Sequence, residues 1–296
     1  MDTSQILHYD VLAKYGKANK SLYEHLHANK YELIRIKKAA TKHTAGIALS
    51  DIKYKSLRDN PSDCIFGCSV DDNVKNMLLT TKAINTETIP LLANEVINVK
   101  QITSVSNVYD SHGDVHLPNM WNKTIKENKN IMFLDSHLLD FEHIIADGAD
   151  LRVYTKTVSW YDLGYNVKGN TEVLIMDADV KYNRNPTMFR QYANNWVKYG
   201  SIGMNYTKVE LAINSKDYKE EYAVWEKYYD TIINKAELDD VGVFWAVKEA
   251  KAIEGSAIPI PSNTYTYLES MTSVNNKSDD AAKAELLDAI KTIFNH

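Results

Sequence analysis

Apolar and polar positions change period several times along this chain, and the sharpest change surrounds Tyr199-Gly200-Ser201-Ile202-Gly203-Met204. Upstream, Asn185-Pro186 carries the residues favoured at an N-cap and at the first helical position. Phe189, Tyr192, Ala193, Trp196 and Val197 then recur at helical spacing, and Gly200 supplies a stop. After Ser201 the pattern alternates, with Ile202, Met204 and Tyr206 on one face and Gly203, Asn205, Thr207 and Val209 on the other. It predicts a strand to about Ile213. Ser201 is thus expected at a helix-to-strand junction, with little bulk beside it to block a substrate.

The same reading predicts the other elements. Gln5 to Leu26 has a loose helical period, Leu33, Ile34 and Ile36 make a strand-like run, and Arg58 to Asp63 is a polar turn. Asn73 to Thr81 reads as a short helix and Glu95 to Thr103 as a strand. Pro118 starts a helix with Trp121, Thr124 and Ile125 on one face. Ile131 to Leu134 is a short buried strand ending in Asp135-Ser136-His137. Leu151 to Trp160 and Val173 to Met176 are strands, Asp217 to about Ala236 is a helix, and Val241 to Ile253 is a strand that closes at Gly255. Thr264 to Asp280 has the composition of a linker, and Ala281 to Phe294 is a terminal helix with Leu286, Leu287, Ile290 and Ile293 on one stripe.

Composition narrows the function classes. A net charge of -5 argues against a general nucleic-acid binder, which needs a basic face to neutralise phosphates. No apolar run reaches the length of a membrane span, and the N-terminus lacks a secretory pattern, so the expected location is a cytoplasm. Cys64 and Cys68 have no second pair nearby to complete a zinc site and read as reduced thiols. Nineteen tyrosines suit extensive contact with other chains.

Several residues carry candidate chemistry. Ser201 is a candidate nucleophile, against the plainer reading of a turn serine. His137, where a buried strand reaches the surface, is placed as a general base, with His143 its rival. Glu249 and Glu254 are an odd number of positions apart, so a regular strand points them to opposite faces. Asp110, His112, Asp114 and His116 include metal-ligand types, but the spacing fits no specific site and favours a structural loop. His25 and His27 read as solvated. Asp177-Ala178-Asp179, after an apolar strand, resembles the metal and nucleotide-sugar site of glycosyltransferases; the βαβ series of such a fold does not precede it.

Three stretches in order carry a further resemblance: Asp110-x-x-Gly-Asp-Val-x-Leu-Pro with a following strand that ends in His137; Gly-Ser201-Ile-Gly-Met; and Glu254-Gly-Ser-Ala-Ile-Pro-Ile-Pro-Ser-Asn. Together they resemble the prohead protease family of tailed bacteriophages, over roughly residues 92 to 266. The family is similar in fold to herpesvirus assemblin. The resemblance implies an α+β chain, a small, mostly antiparallel β-barrel surrounded by helices, closed or nearly so. It implies residues 92–266 as catalytic domain; 1–91 is a partly helical N-terminal region with no counterpart in the resemblance, a scaffold-interaction arm or a self-cleaved segment being the two expectations for it, and 267–296 is linker and terminal helix. It implies a serine endopeptidase with Ser201 as nucleophile, His137 as base and Glu254 as the orienting acid, Glu249 being the fallback. Backbone N–H groups near Ile202 and Gly203 are the oxyanion candidates. No cofactor or metal is implied. The implied substrates are phage scaffold and major capsid proteins, met inside the procapsid in the bacterial cytoplasm, with self-association there and no membrane or nucleic-acid partner. A non-catalytic assembly protein that only binds capsid subunits is the alternative.

Overall fold

A computed structural model describes residues 20–39, 95–128 and 130–274. Its first element is α1 (Lys20–Ala39), followed by β1 (Val96–Val105), β2 (Asp114–His116), α2 (Asn122–Glu127), β3 (Met132–Asp135), β4 (Ile144–Ala146), β5 (Leu151–Ser159) and β6 (Asn170–Lys181). Then come α3 (Pro186–Ala193), β7 (Tyr199–Ile213), α4 (Lys219–Tyr228), α5 (Lys235–Asp239), β8 (Val243–Ile258) and β9 (Leu268–Val274). The first sheet has the order β5-β6-β1-β9 and is antiparallel throughout. In the second, β8 pairs antiparallel with β7 along one edge. Its other edge pairs in parallel with β2 and then with β3, which carries β4.

The chain is α+β and mostly antiparallel, as expected, but its sheets do not close into a barrel: β5 and β9 end the first sheet. The edge strand β5 is mostly half-buried, with Val158 buried, and bears the exposed Arg152 and Lys156, charges that oppose further pairing. Sheet packing replaces closure. Strand β6 is buried on both faces: Leu174, Met176, Ala178 and Val180 enter the core shared with the second sheet, while Val173 and Ile175 join an outer cluster with Trp160 and Val158. Ile202 and Met204 of β7 and Val247 and Ala252 of β8 meet the inner face, and α3 adds Met188, Phe189 and Tyr192. Each such side chain, fully buried, stabilises by about 1.5–3 kcal/mol. A further cluster outside the second sheet packs Trp225 of α4 on Phe244 and Ala246 of β8.

Several boundaries differ from the sequence expectation. The strand-like run Leu33 to Ile36 lies inside α1, where Leu22, Leu26 and Leu33 are buried on one stripe and Lys37 and Lys38 suit the C-terminal turn. Neither histidine is simply solvated: Nδ1 of His27 lies 3.1 Å from Oε1 of buried Glu221, and His25 is half-buried with Asn29 Nδ2 3.5 Å from its Nδ1. Helix α3 stops at Ala193 and Asn195 takes a left-handed φ of 55°, so Ser201 is the third residue of β7 and not a junction residue. The helix at Pro118 starts only at Asn122, and the helix expected over Asp217 to Ala236 divides into α4, one 3-10 turn and the start of α5. The stretch taken as a linker contains β9, which pairs with β1. Its Ser and Thr content hid it, since backbone pairing, not apolar alternation, places it. The early part of the helix from Gln5, the turn at Arg58, the helix at Asn73, Cys64, Cys68 and the terminal helix lie outside the described residues. No described helix is long and apolar enough to cross a membrane.

Candidate active site

Glycines decide which way Ser201 points. A Cβ on Gly200 would lie 2.5 Å from the Ile102 carbonyl oxygen, and one on Gly255 would lie 2.7 Å from the Met176 side chain. Both therefore face the first sheet at close approach, and the alternating residues Ser201 and Ser256 face the opposite side. These two serines are cross-strand partners, as are Gly203 and Glu254. The small residues were expected to leave room for a substrate beside Ser201. Instead Gly200 answers to sheet packing behind it. Gly203, the cross-strand partner of Glu254, brings no side chain to that face of the ladder.

His137 lies over this same face. Strand β3 runs parallel to β8 as far as Asp135 opposite Ala257, and the chain then turns through two left-handed residues, Ser136 (φ 54°) and His137 (φ 60°). The Ser136 N–H donates to the Ala257 carbonyl at 3.0 Å, and the His137 N–H donates to Oγ of Ser256 at 3.1 Å. Nδ1 of His137 is 2.7 Å from Oε1 of Glu254. An ionised carboxylate only accepts, so the imidazole proton sits on Nδ1 and Nε2 keeps its lone pair. Glu254 and Ser256 are fully buried, while Ser201 keeps 8 % of its surface. A bulge at Ile253, skipped between the pairs Gly203–Glu254 and Met204–Ala252, sets the register of this segment.

Of the residues singled out from sequence, the structure thus brings His137 and Glu254 into contact and sets Ser201 on the strand face they occupy. Ile202 and Gly203 follow Ser201 within β7, opposite Gly255 and Glu254. Glu249 is engaged elsewhere, 3.4 Å from Lys123 and in contact with Lys208. His143 is committed to Asp135, its Nδ1 2.7 Å from Oδ1. Ser256 was missed; its place two residues after Glu254, on the same face of a strand, was the available signal.

The other candidate clusters are tied up by side chains. Asp177 and Asp179 lie on the outward face of β6, where Arg152 donates to Asp177 at 2.8 Å and Asn98 donates to both. Burial pushes these carboxyls up, but the hydrogen bonds from Arg152 and Asn98 outweigh it and hold both below their ordinary range. A divalent ion would have to displace the guanidinium. Ligand atoms of Asp110, Asp114 and His116 come within 4.8 Å of one another in the interior. There Lys37 lies 2.7 Å from Oδ1 of Asp114, the Tyr206 hydroxyl donates to Oδ2 at 2.5 Å, and His116 Nδ1 is 2.7 Å from Oγ of Ser104. The Lys37 ammonium, over the Tyr206 ring, takes the place of a bound cation.

No protein-family model, no curated protein and no solved structure matches this chain.

Proposed function

We propose that the chain is a serine endopeptidase of the prohead-maturation kind, cutting scaffold or capsid protein inside an immature phage capsid. Support comes above all from one observation: the 2.7 Å contact between Nδ1 of His137 and Oε1 of Glu254, on the strand face that carries Ser201. That pairing leaves Nε2 of a neutral imidazole as the only basic ring atom, the form a general base must have. Ser201 Oγ adds to the scissile carbonyl carbon as its proton passes to Nε2, and Glu254 stabilises the imidazolium. Collapse of the tetrahedral adduct breaks the C–N bond while Nε2 returns the proton to the leaving amine. Water, activated by the same imidazole, then hydrolyses the ester. The oxyanion donors expected from the sequence, the N–H groups of Ile202 and Gly203, are consecutive residues of β7 whose N–H groups point to opposite edges of the strand, so only one of them can serve an oxyanion. An assemblin-like arrangement, opened into two packed sheets here, is the finer fold reading that goes with it.

The test is co-expression with the scaffold and capsid proteins of the same phage, wild type against Ser201→Ala, read by intact mass. Shortened products with wild type alone, and labelling of Ser201 by a fluorophosphonate, are expected. Unchanged masses together with no labelling would overturn the proposal and leave a non-catalytic assembly protein.

A further inference from the structure

The loop that presents His137 is closed by a second histidine-carboxylate pair. Asp135 ends β3 and His143 precedes β4, and Nδ1 of His143 lies 2.7 Å from Oδ1 of Asp135. On the other side of the ring, Nε2 is 3.8 Å from Oδ2 of Asp140. Asp140 in turn accepts the N–H groups of Glu142 and His143 at 3.1 and 3.2 Å, capping the single 3-10 turn Phe141–His143. Between these anchors stand Ser136 and His137, whose left-handed φ angles are strained for residues with a side chain and persist only where the surroundings over-determine them. Apolar packing contributes little here, because Leu139 is 60 % and Phe141 89 % exposed. Hydrogen bonds and this pair carry the constraint.

We infer that His143 is a positioning residue: its closure on Asp135 holds the Asp135–His143 loop, and with it the left-handed His137 whose imidazole meets Glu254. Its consequence for catalysis rests on reading His137 as the base. The groups facing the ring are Asp135 from β3 and Asp140 and Glu142 from the loop, with the buried Tyr192 phenol of α3 also sensing Asp135. The Asp135 hydrogen bond leads in raising the His143 pKa above its ordinary 6.5, against the opposing effect of burial. The sign follows. The charged clamp is complete below 6.5 and is lost as pH rises through the higher folded value.

Wild type, His143→Ala and His143→Asn are compared in the full chain. The readouts are amide hydrogen-exchange protection over residues 135–143, corrected for intrinsic rates, and the rate of Ser201 labelling by a fluorophosphonate. His143→Ala should lower loop protection and labelling rate by about tenfold or more, the weight of one charge-assisted hydrogen bond. His143→Asn, whose amide can replace Nδ1–H, should recover most of the protection. Wild-type protection should fall as pH rises through the His143 titration, and the variants should lack that step. Unchanged protection in His143→Ala, or the same pH step without the histidine, overturns the inference. If wild type labels nowhere, the protease reading fails, while loop protection still decides the clamp. If His143→Ala does not fold, His143→Asn and the wild-type pH step decide it.

Discussion

The hydroxyl of Ser256 donates to Oε2 of Glu254 at 2.8 Å, and that Ser256 Oγ accepts the main-chain N–H of His137 at 3.1 Å. One buried serine therefore fixes the carboxylate and the loop that brings the imidazole to it. Both acceptor atoms of Glu254 are used, Oε1 by His137 and Oε2 by Ser256, which leaves the carboxylate little freedom to rotate.

Glu254→Gln should keep the fold and lower fluorophosphonate labelling of Ser201 by about 10³–10⁴-fold, because an amide donating to Nδ1 traps the wrong tautomer. Ser256→Ala leaves a buried donor and acceptor unpaired and should cost about 1–3 kcal/mol of stability, with slower labelling. Circular dichroism, urea unfolding and labelling kinetics on the purified variants measure all three effects. Normal labelling in Glu254→Gln would remove Glu254 from the reaction.

Gly200→Ala should destabilise by about 2–3 kcal/mol, since its Cβ meets a carbonyl oxygen of the neighbouring sheet that cannot move independently. Gly255→Ala meets Met176, a pliable side chain, and should cost only about 1–2 kcal/mol. Thermal melts of the pair give the order directly. The reverse order would mean that close sheet approach is not what requires Gly200.

Acid should weaken the docking of α1. Glu221 is 1 % exposed and lies 2.7 Å from Lys30 of that helix. Burial pushes its carboxyl up, but hydrogen bonds from Lys30 and His27 outweigh this and hold it below its ordinary 4.5. A depressed folded pKa means that the stabilisation is full above 4.5 and is lost as pH falls through the folded value. Glu221→Gln should flatten the melting profile in that window, and Lys30→Ala at neutral pH should cost about 3 kcal/mol by stranding a buried charge. A profile unchanged by Glu221→Gln would place the acid sensitivity elsewhere.

Much of the local structure was readable in the residues themselves. Alternation after Ser201 marked β7, the Asn185-Pro186 pair marked the start of α3, and the apolar run before His137 marked β3, because each depends on neighbours a few positions apart. What misled were places where distant contacts prevail. The polar strand β9 is specified by the backbone of β1, and Leu33 is helical because Leu22 and Leu26 share its buried stripe. Gly200 reads as a helix stop but is a strand residue pressed against Ile102.

By itself the sequence determined most element positions and the short list of residues able to do chemistry, all set by side-chain type and local period. Only the tertiary structure decided which of them meet. His137 and Glu254 are 117 positions apart, and their contact depends on β3 running parallel to β8, two left-handed residues after Asp135, and a one-residue bulge beside Glu254. A single-residue slip in that register would turn Glu254 to the other face of the sheet, and no local pattern encodes that choice.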